Sequence, residues 1–396
     1  MALDLGERLL PAFETPTGIP FHTINLRHGV SREVSQTRET CTAAAGTLLL
    51  ELGLLSRLTG DARFEQGALA TAFITLSSPS SRAALLTRPA HPAARRAVGA
   101  LWERRSKLDL IGSQIHTHRG RWLQTHTGIG AGVDSFYEYL LKAAILLRDD
   151  ELLSWFTAAY AAVVDHTKWS QWNIEVAMDT GAPYSYRISA LQAFWPSLQV
   201  LAGDVEAAKE SFEPLYSLWR KYSALPEIFD VRRGRILEYA MDSPIRPEFA
   251  ESTYHLYSAT GEDRYLEVGR EIIFALQNIS RVSCGYASIA DVTNNKRLDD
   301  RMDSFFLAET IKCAPRAPGR GSRFSLACSF RYLFLLFDAS LAPEKRLSLF
   351  CPSDRPSQNA NSTCIRPIQT LFSTEGHVFL LDSVDGQCES GPVGGR

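Results

Sequence analysis

The residues in this chain whose types could do chemistry are mostly carboxylates, and they recur in short, punctuated motifs. Asp134 closes the run Gly128-Ile-Gly-Ala-Gly-Val-Asp134 and opens an apolar, aromatic stretch, Ser135-Phe-Tyr-Glu138-Tyr-Leu-Leu-Lys142. Glu248 and Glu251 stand three apart in Arg246-Pro-Glu248-Phe-Ala-Glu251, a spacing that places both on one helix face. Phe305 and Glu309 are four apart, an aromatic beside an acid, as in many sugar-stacking sites and at many core boundaries. Glu227 lies in the loop Leu225-Pro-Glu227, with its direction unspecified. Ser373-Thr374-Glu375-Gly-His377 offers a hydroxyl and a carboxylate to a hard cation that otherwise keeps its waters. No Ser/His/Asp or Cys/His order stands out. Chemistry resting on acids alone points to glycoside hydrolysis, in which one carboxyl group gives a proton and another activates water.

Each motif also has a plainer reading. Asp134 can be an acidic N-cap on a packed helix. Glu248 and Glu251 can complement a helix dipole behind Pro247, with Arg246 as counterion. A dinucleotide loop is disfavoured at Gly128–Gly132, because such a loop follows an apolar strand and Gly120–Thr127 is polar. The three alternate glycines suit a loop that turns tightly or presses its backbone against something. Ser135 and Glu138 read as a capping box, which leaves Asp134 exposed and anionic at a helix mouth.

The elements that must position these acids are helices. Helical periodicity dominates and alternating strands are scarce. One punctuation recurs, a helix stop followed by an acidic start: Thr59-Gly60-Asp61, Leu147-Arg148-Asp149-Asp150, Ala202-Gly203-Asp204 and Thr260-Gly261-Glu262. These intervals suit repeated helical hairpins, either an open solenoid or a closed barrel whose inner helices point into a cavity. Two stretches break the rhythm, 67–95 ahead of a helix at Arg96–Arg105, and 313–330 after a helix through Phe305 to Thr310. Both read as retained intron translation or as lineage-specific loops.

Composition narrows the partners. The chain has 396 residues, 45% of them hydrophobic, enough for a large core. A net charge of −2 gives no attraction to nucleic acid or to an anionic membrane surface. No apolar run reaches transmembrane length. The first residues read as an amphipathic helix rather than a signal peptide. Seven cysteines show no zinc spacing, and two acceptor triplets, Asn278-Ile-Ser280 and Asn361-Ser-Thr363, mildly favour a secretory compartment.

Taken together, the Gly128–Lys142 run, Arg246-Pro-Glu248-Phe-Ala-Glu251-Ser, Ser304-Phe-Phe-Leu-Ala-Glu309-Thr and Thr374-Glu375-Gly-His resemble glycoside hydrolase family 47. Within it they are similar to the ER degradation-enhancing α-mannosidase-like branch, which Thr17–Arg27 and Glu39-Thr-Cys-Thr-Ala-Ala also match. The resemblance implies an all-α fold, an (α/α) barrel of about seven hairpins. It implies an incomplete barrel domain over 1–384, with a tail at 385–396. Family members carry further hairpins, a signal sequence and a proton-donor glutamate ahead of the position of Met1.

The activity implied is a calcium-dependent, inverting exo-α-1,2-mannosidase that trims high-mannose N-glycans on misfolded glycoproteins in the endoplasmic reticulum, with an oxidoreductase as a further partner. The alternative is a lectin-like binder without turnover. By resemblance Asp134, Glu227 and Glu248 are catalytic, Glu248 as the base. Arg246, Glu251, Phe305, Glu309 and Glu375 line the sugar pocket and face the calcium waters, and Thr374 binds Ca2+. Inversion implies acid and base carboxyls roughly 6.5–9.5 Å apart.

Overall fold

In a computed structural model, the structure describes residues 1–64 and 93–310 and the paired strands Thr370–Phe372 and Val378–Leu380. The stretch 313–330, most of 67–95, Thr374, Glu375 and the tail at 385–396 lie outside the described residues. The fold is an (α/α) barrel. Its helices are α1 (Ala2–Leu9), α2 (Arg32–Gln36), α3 (Thr42–Gly46), α4 (Leu49–Thr59) and α5 (Ala93–Trp102). They continue with α6 (Asp134–Leu147), α7 (Asp150–Thr167), α8 (Trp195–Leu201), α9 (Val205–Tyr222), α10 (Glu248–Thr260) and α11 (Asp263–Ala275).

Three hairpins, α6/α7, α8/α9 and α10/α11, form the best-defined part of the barrel. The inner helix α6 is buried on almost every face, down to Glu138 and Lys142, whereas α7, α9 and α11 bury one stripe each. Inner α8 packs on inner α10. Between the hairpins an aromatic stack forms the core. Phe212 of α9 lies on Phe249 of α10 at 5.1 Å, and Trp219 lies on the same ring at 5.7 Å. Each such pair adds about 0.5–1.5 kcal/mol to what burial alone contributes.

The recurring punctuation holds in part: the helix stops form, but Asp61 opens a turn rather than a helix among the described residues, and Glu262 precedes α11 without a side-chain cap bond. Gly60 and Gly261 close α4 and α10 at φ 72° and 69°, and Gly203 turns at φ 89°. Asp149 and Asp204 cap α7 and α9 by accepting from the backbone N–H of Leu152 and Ala207. At the α6 end Arg148 takes the left-handed conformation that glycine takes elsewhere, φ 55°.

Three local expectations need correction. Ser135 is not an N-cap: α6 begins at Asp134, its N-cap Val133 makes no side-chain cap bond, and no capping box forms. The glycine loop closes the helix end instead, with Gly130 O accepting from the N–H groups of Val133 and Asp134. The helix expected at Arg96–Arg105 runs from Ala93 to Trp102, so the last residues of 67–95 belong to it. The polar Gly120–Thr127 stretch does form strands, Trp122–Gln124 and His126–Thr127. Short antiparallel ladders of this kind link the hairpins throughout, and they pair through backbone groups that polar residues carry as well as apolar ones. Among the described residues no helix is long and apolar enough to cross a membrane.

Candidate active site

The glycine loop sits where close backbone approach is required. A Cβ at Gly130 would meet Gln192 Nε2 at 3.2 Å, and one at Gly128 would meet Ile174 O at 3.4 Å. Gly132 adopts φ 93°, which a side chain disfavours. The loop thereby delivers Asp134 to the first turn of α6, half-buried rather than exposed. Burial is the main influence on its carboxyl. The Ser135 N–H, donating to Oδ1 at 3.0 Å, and the Arg246 guanidinium oppose it, and Glu138 adds to it. The result is a pKa lifted to about 6.

Arg246 and Glu227 meet across 19 residues of chain. Arg246 Nε donates to Glu227 Oε1 at 2.6 Å and its Nη2 to Oε2 at 2.8 Å, a fork-on-carboxylate ion pair. The loop that carries Glu227 is pinned on both sides. The Glu227 N–H donates to Asp242 O, and the Glu227 carbonyl accepts from the Ala190 N–H, just before the strand Ile228–Asp230. The direct ion-pair partner of Arg246 is thus Glu227, and its charge reaches Glu248 without a hydrogen bond. Its guanidinium also lies 5.6 Å from the Phe305 ring. Ile245, just before it, holds φ 61°, a strained conformation for a β-branched residue.

Glu248 opens α10 and is driven well above the usual carboxylate range, first by burial and then by the nearby charges of Glu251 and Glu309, with Arg246 opposing. Its Oε2 is buried and has no hydrogen-bond partner among the described residues. It lines a cavity of about 60 Å³ shared with Arg246, Ser243 and Thr310. Glu309 lies in a π-helical turn, Phe306–Thr310, half-buried. Glu251 faces the other way, toward α6. Burial and Glu138 push its carboxyl up, Lys142 and Ser197 pull it down. The Lys142 ammonium sits 2.7 Å from Glu138 Oε1, both buried. His255, 3.8 Å from Glu251, is pushed down to about 4 by burial and by Lys142, so that contact is neutral at physiological pH.

Above the Arg246–Glu227 pair opens a cavity of about 1280 Å³. Its wall holds residues the sequence reading missed: Glu175, Tyr184, Tyr186, Arg187, Arg232 and Tyr239. Tyr184 lies flat on His126, centroids 4.6 Å apart and 4° from parallel. Arg232 lies 5.0 Å from the Tyr186 ring, and Arg187 donates to the Tyr239 hydroxyl at 3.2 Å. Alternation of aromatic and polar residues in Tyr184-Ser-Tyr186-Arg187 was the available signal. Flat rings and planar guanidinium groups suit the faces and hydroxyls of a sugar.

No three His, Cys, Asp or Glu side chains among the described residues gather closely enough to ligate a metal directly. What they offer a cation is oxygen only: the unpartnered Glu248 Oε2, with Glu251 and Glu309 close enough to raise its proton affinity. That set fits a hard cation held through its waters.

Comparison with known proteins follows the same line. Residues 1–87 and 91–314 match the model of glycosyl hydrolase family 47. The chain is 40% identical over 381 residues to Alpha-mannosidase I MNS4 of Arabidopsis thaliana, covering 96% of this chain and 51% of that one. It is 39% identical over 338 residues to ER degradation-enhancing alpha-mannosidase-like protein 2 of Homo sapiens, covering 85% and 50%. The chain spans about half the length of these curated relatives. Among solved structures, the alpha-1,2-mannosidase from Trichoderma reesei superposes with a TM-score of 0.68 at 20% identity, over 95% of this chain and 73% of that one, a likeness of fold.

Proposed function

The chain belongs to glycosyl hydrolase family 47, and from that premise we propose that it is an exo-α-1,2-mannosidase that trims high-mannose N-glycans on misfolded glycoproteins in the endoplasmic reticulum. The observation that supports this reading best is that Arg246 pairs with Glu227 on the wall of the wide cavity, shares the small cavity with Glu248, and acts through its charge on both Glu248 and Asp134.

The acids divide the work by environment. Asp134, lifted to about 6, holds a proton part of the time near neutrality, which suits giving it to a departing glycosidic oxygen. Glu227, paired with Arg246 on the wall of the wide cavity, would take the proton from attacking water in this reading. The resemblance casts Glu248 as that base. Its burial favours a second role here, holding a proton and ordering water in the small cavity, which exceeds the roughly 10–15 Å³ that one water needs. Inversion follows where the water attacks opposite the bond that breaks.

Ca2+ fits the oxygen-only set. Thr374, outside the described residues, would ligate it, with Glu248, Glu309 and Glu375 holding its waters. When bound it would supply fixed positive charge to the site. Phe305 and the Tyr184–His126 platform position sugar rings. A lectin-like binder without turnover is the second reading, supported by the aromatic and arginine wall, which can grip a glycan whatever the acids do.

Incubation of the chain with a high-mannose N-glycan, with and without a calcium chelator, tests both. Release of mannose that the chelator abolishes, and that Asp134→Asn lowers by about 10²–10⁴-fold, is the expected result. Glycan binding with no mannose released under any condition would establish the second reading in place of the first.

A further inference from the structure

The C-terminal ends of α9 and α11 enclose a groove of about 400 Å³ lined by Trp219, Arg270, Phe274, Asn278 and Ile279, on the other side of Trp219 and Ala275 from the small cavity at Glu248. Phe274 is 70% exposed there, an apolar ring that no described element covers. Asn278 is exposed on the π-helical turn Leu276–Ser280 that follows α11, and it begins the acceptor triplet Asn278-Ile-Ser280. Its Nδ2 donates to the carbonyl of Phe274 at 2.7 Å.

We propose that Asn278 carries an N-linked glycan whose first N-acetylglucosamine rings lie in this groove against Phe274. The proposal rests on the passage through the endoplasmic reticulum put forward above. The donor is a lipid diphosphate-linked oligosaccharide. Asn278 Nδ2 bonds to the anomeric carbon of the first sugar, that carbon's bond to the diphosphate oxygen breaks, and Nδ2 loses one proton. A substituted amide keeps one N–H, so the bond to Phe274 O survives the modification. That bond to the Phe274 carbonyl then fixes the Asn278 amide at the edge of the groove that the Phe274 ring borders. Ser280, whose hydroxyl an acceptor site requires, is 2% exposed in the fold. The transfer therefore precedes folding of this turn, and the glycan is packed as the turn forms. Sugar faces carry C–H groups, and an exposed aromatic ring beside the attachment point gives them an apolar partner.

The test uses the full chain directed into the endoplasmic reticulum by a cleavable leader, with glycopeptides read by mass spectrometry. Occupancy at Asn278, lost in Asn278→Gln, is expected. A chain whose leader has been removed but whose Asn278 peptide is unmodified overturns the proposal. Enzymatic removal of the glycan should lower Tm in the wild type and lower it less in Phe274→Ser. An equal drop in both overturns the groove assignment. Mannose release by Asn278→Gln should match the wild type. Its absence in a chain occupied at Asn278 would count against the trimming reading and leave the glycan site standing.

Discussion

The hydroxyl of Thr310 donates to the carbonyl of Ile245 at 2.9 Å, across 65 residues of chain. Ile245 is the strained residue, φ 61°, and Arg246 is the next one along. The bond therefore holds the backbone in the conformation that aims the guanidinium at Glu227. Thr310→Val keeps the shape and removes the donor. It should cost about 1 kcal/mol in urea unfolding. Mannose release should suffer more than stability does, with kcat falling further than KM changes, because Ile245 is free to relax and Arg246 to drift. A stability loss with kcat/KM intact would reduce the bond to ordinary packing.

Below that pair, the buried Lys142–Glu138 contact ties two residues of α6 together and faces Glu251 on α10. Lys142→Met leaves buried acids without their cation. The expected cost is about 3–5 kcal/mol, read as a shift in denaturant midpoint at constant slope. Glu138→Leu in the same chain should recover part of it, since one of the stranded acids is then gone.

Gly132 links the loop to Asp134, the proposed proton donor. Its φ of 93° and its carbonyl, which accepts from Ala43 N–H, fix the turn that ends at Asp134. Gly132→Ala should cost about 1–2 kcal/mol, the penalty for a left-handed side-chain residue. Mannose release should fall with it, measured at a temperature where the variant is fully folded. Full activity in a destabilised variant would separate the turn from the placement of Asp134.

How much of this was legible in the chain follows from which interactions are local. Helix stops such as Gly60 and Gly261 and caps such as Asp149 and Asp204 act within a few residues, so spacing alone reveals them. Asp134 was found for its glycines, yet its burial was not. A helix mouth looks exposed until the ladders and loops around it are in place. The partner of Arg246 was misread for the same reason. Glu248 and Glu251 are near in sequence, whereas Glu227 is brought close by a pinned loop 19 residues away. The wall of Tyr184, Tyr186 and Arg187 went unseen because its alternation of aromatic and polar residues runs over only four positions, carried by strands three residues long, too short to stand out as a period.

The Asp134 carboxyl supplies the last prediction, because its proton affects both stability and turnover. Its folded pKa, about 6, lies above the ordinary aspartate value of 3.8. Between those values the folded chain binds more protons than the unfolded one, so this residue favours folding at low pH. That contribution is complete below the unfolded pKa and is lost as pH rises through about 6. Urea unfolding of the wild type and of Asp134→Asn, compared from pH 4 to pH 7, about the window those two values set, should show the wild type losing stability relative to the variant as pH rises. If this proton goes to the departing oxygen, as proposed, kcat/KM should decline on the alkaline side of about pH 6. A flat stability difference across that window, together with activity that climbs through it, would assign the proton to another acid and make Asp134 a carboxylate throughout.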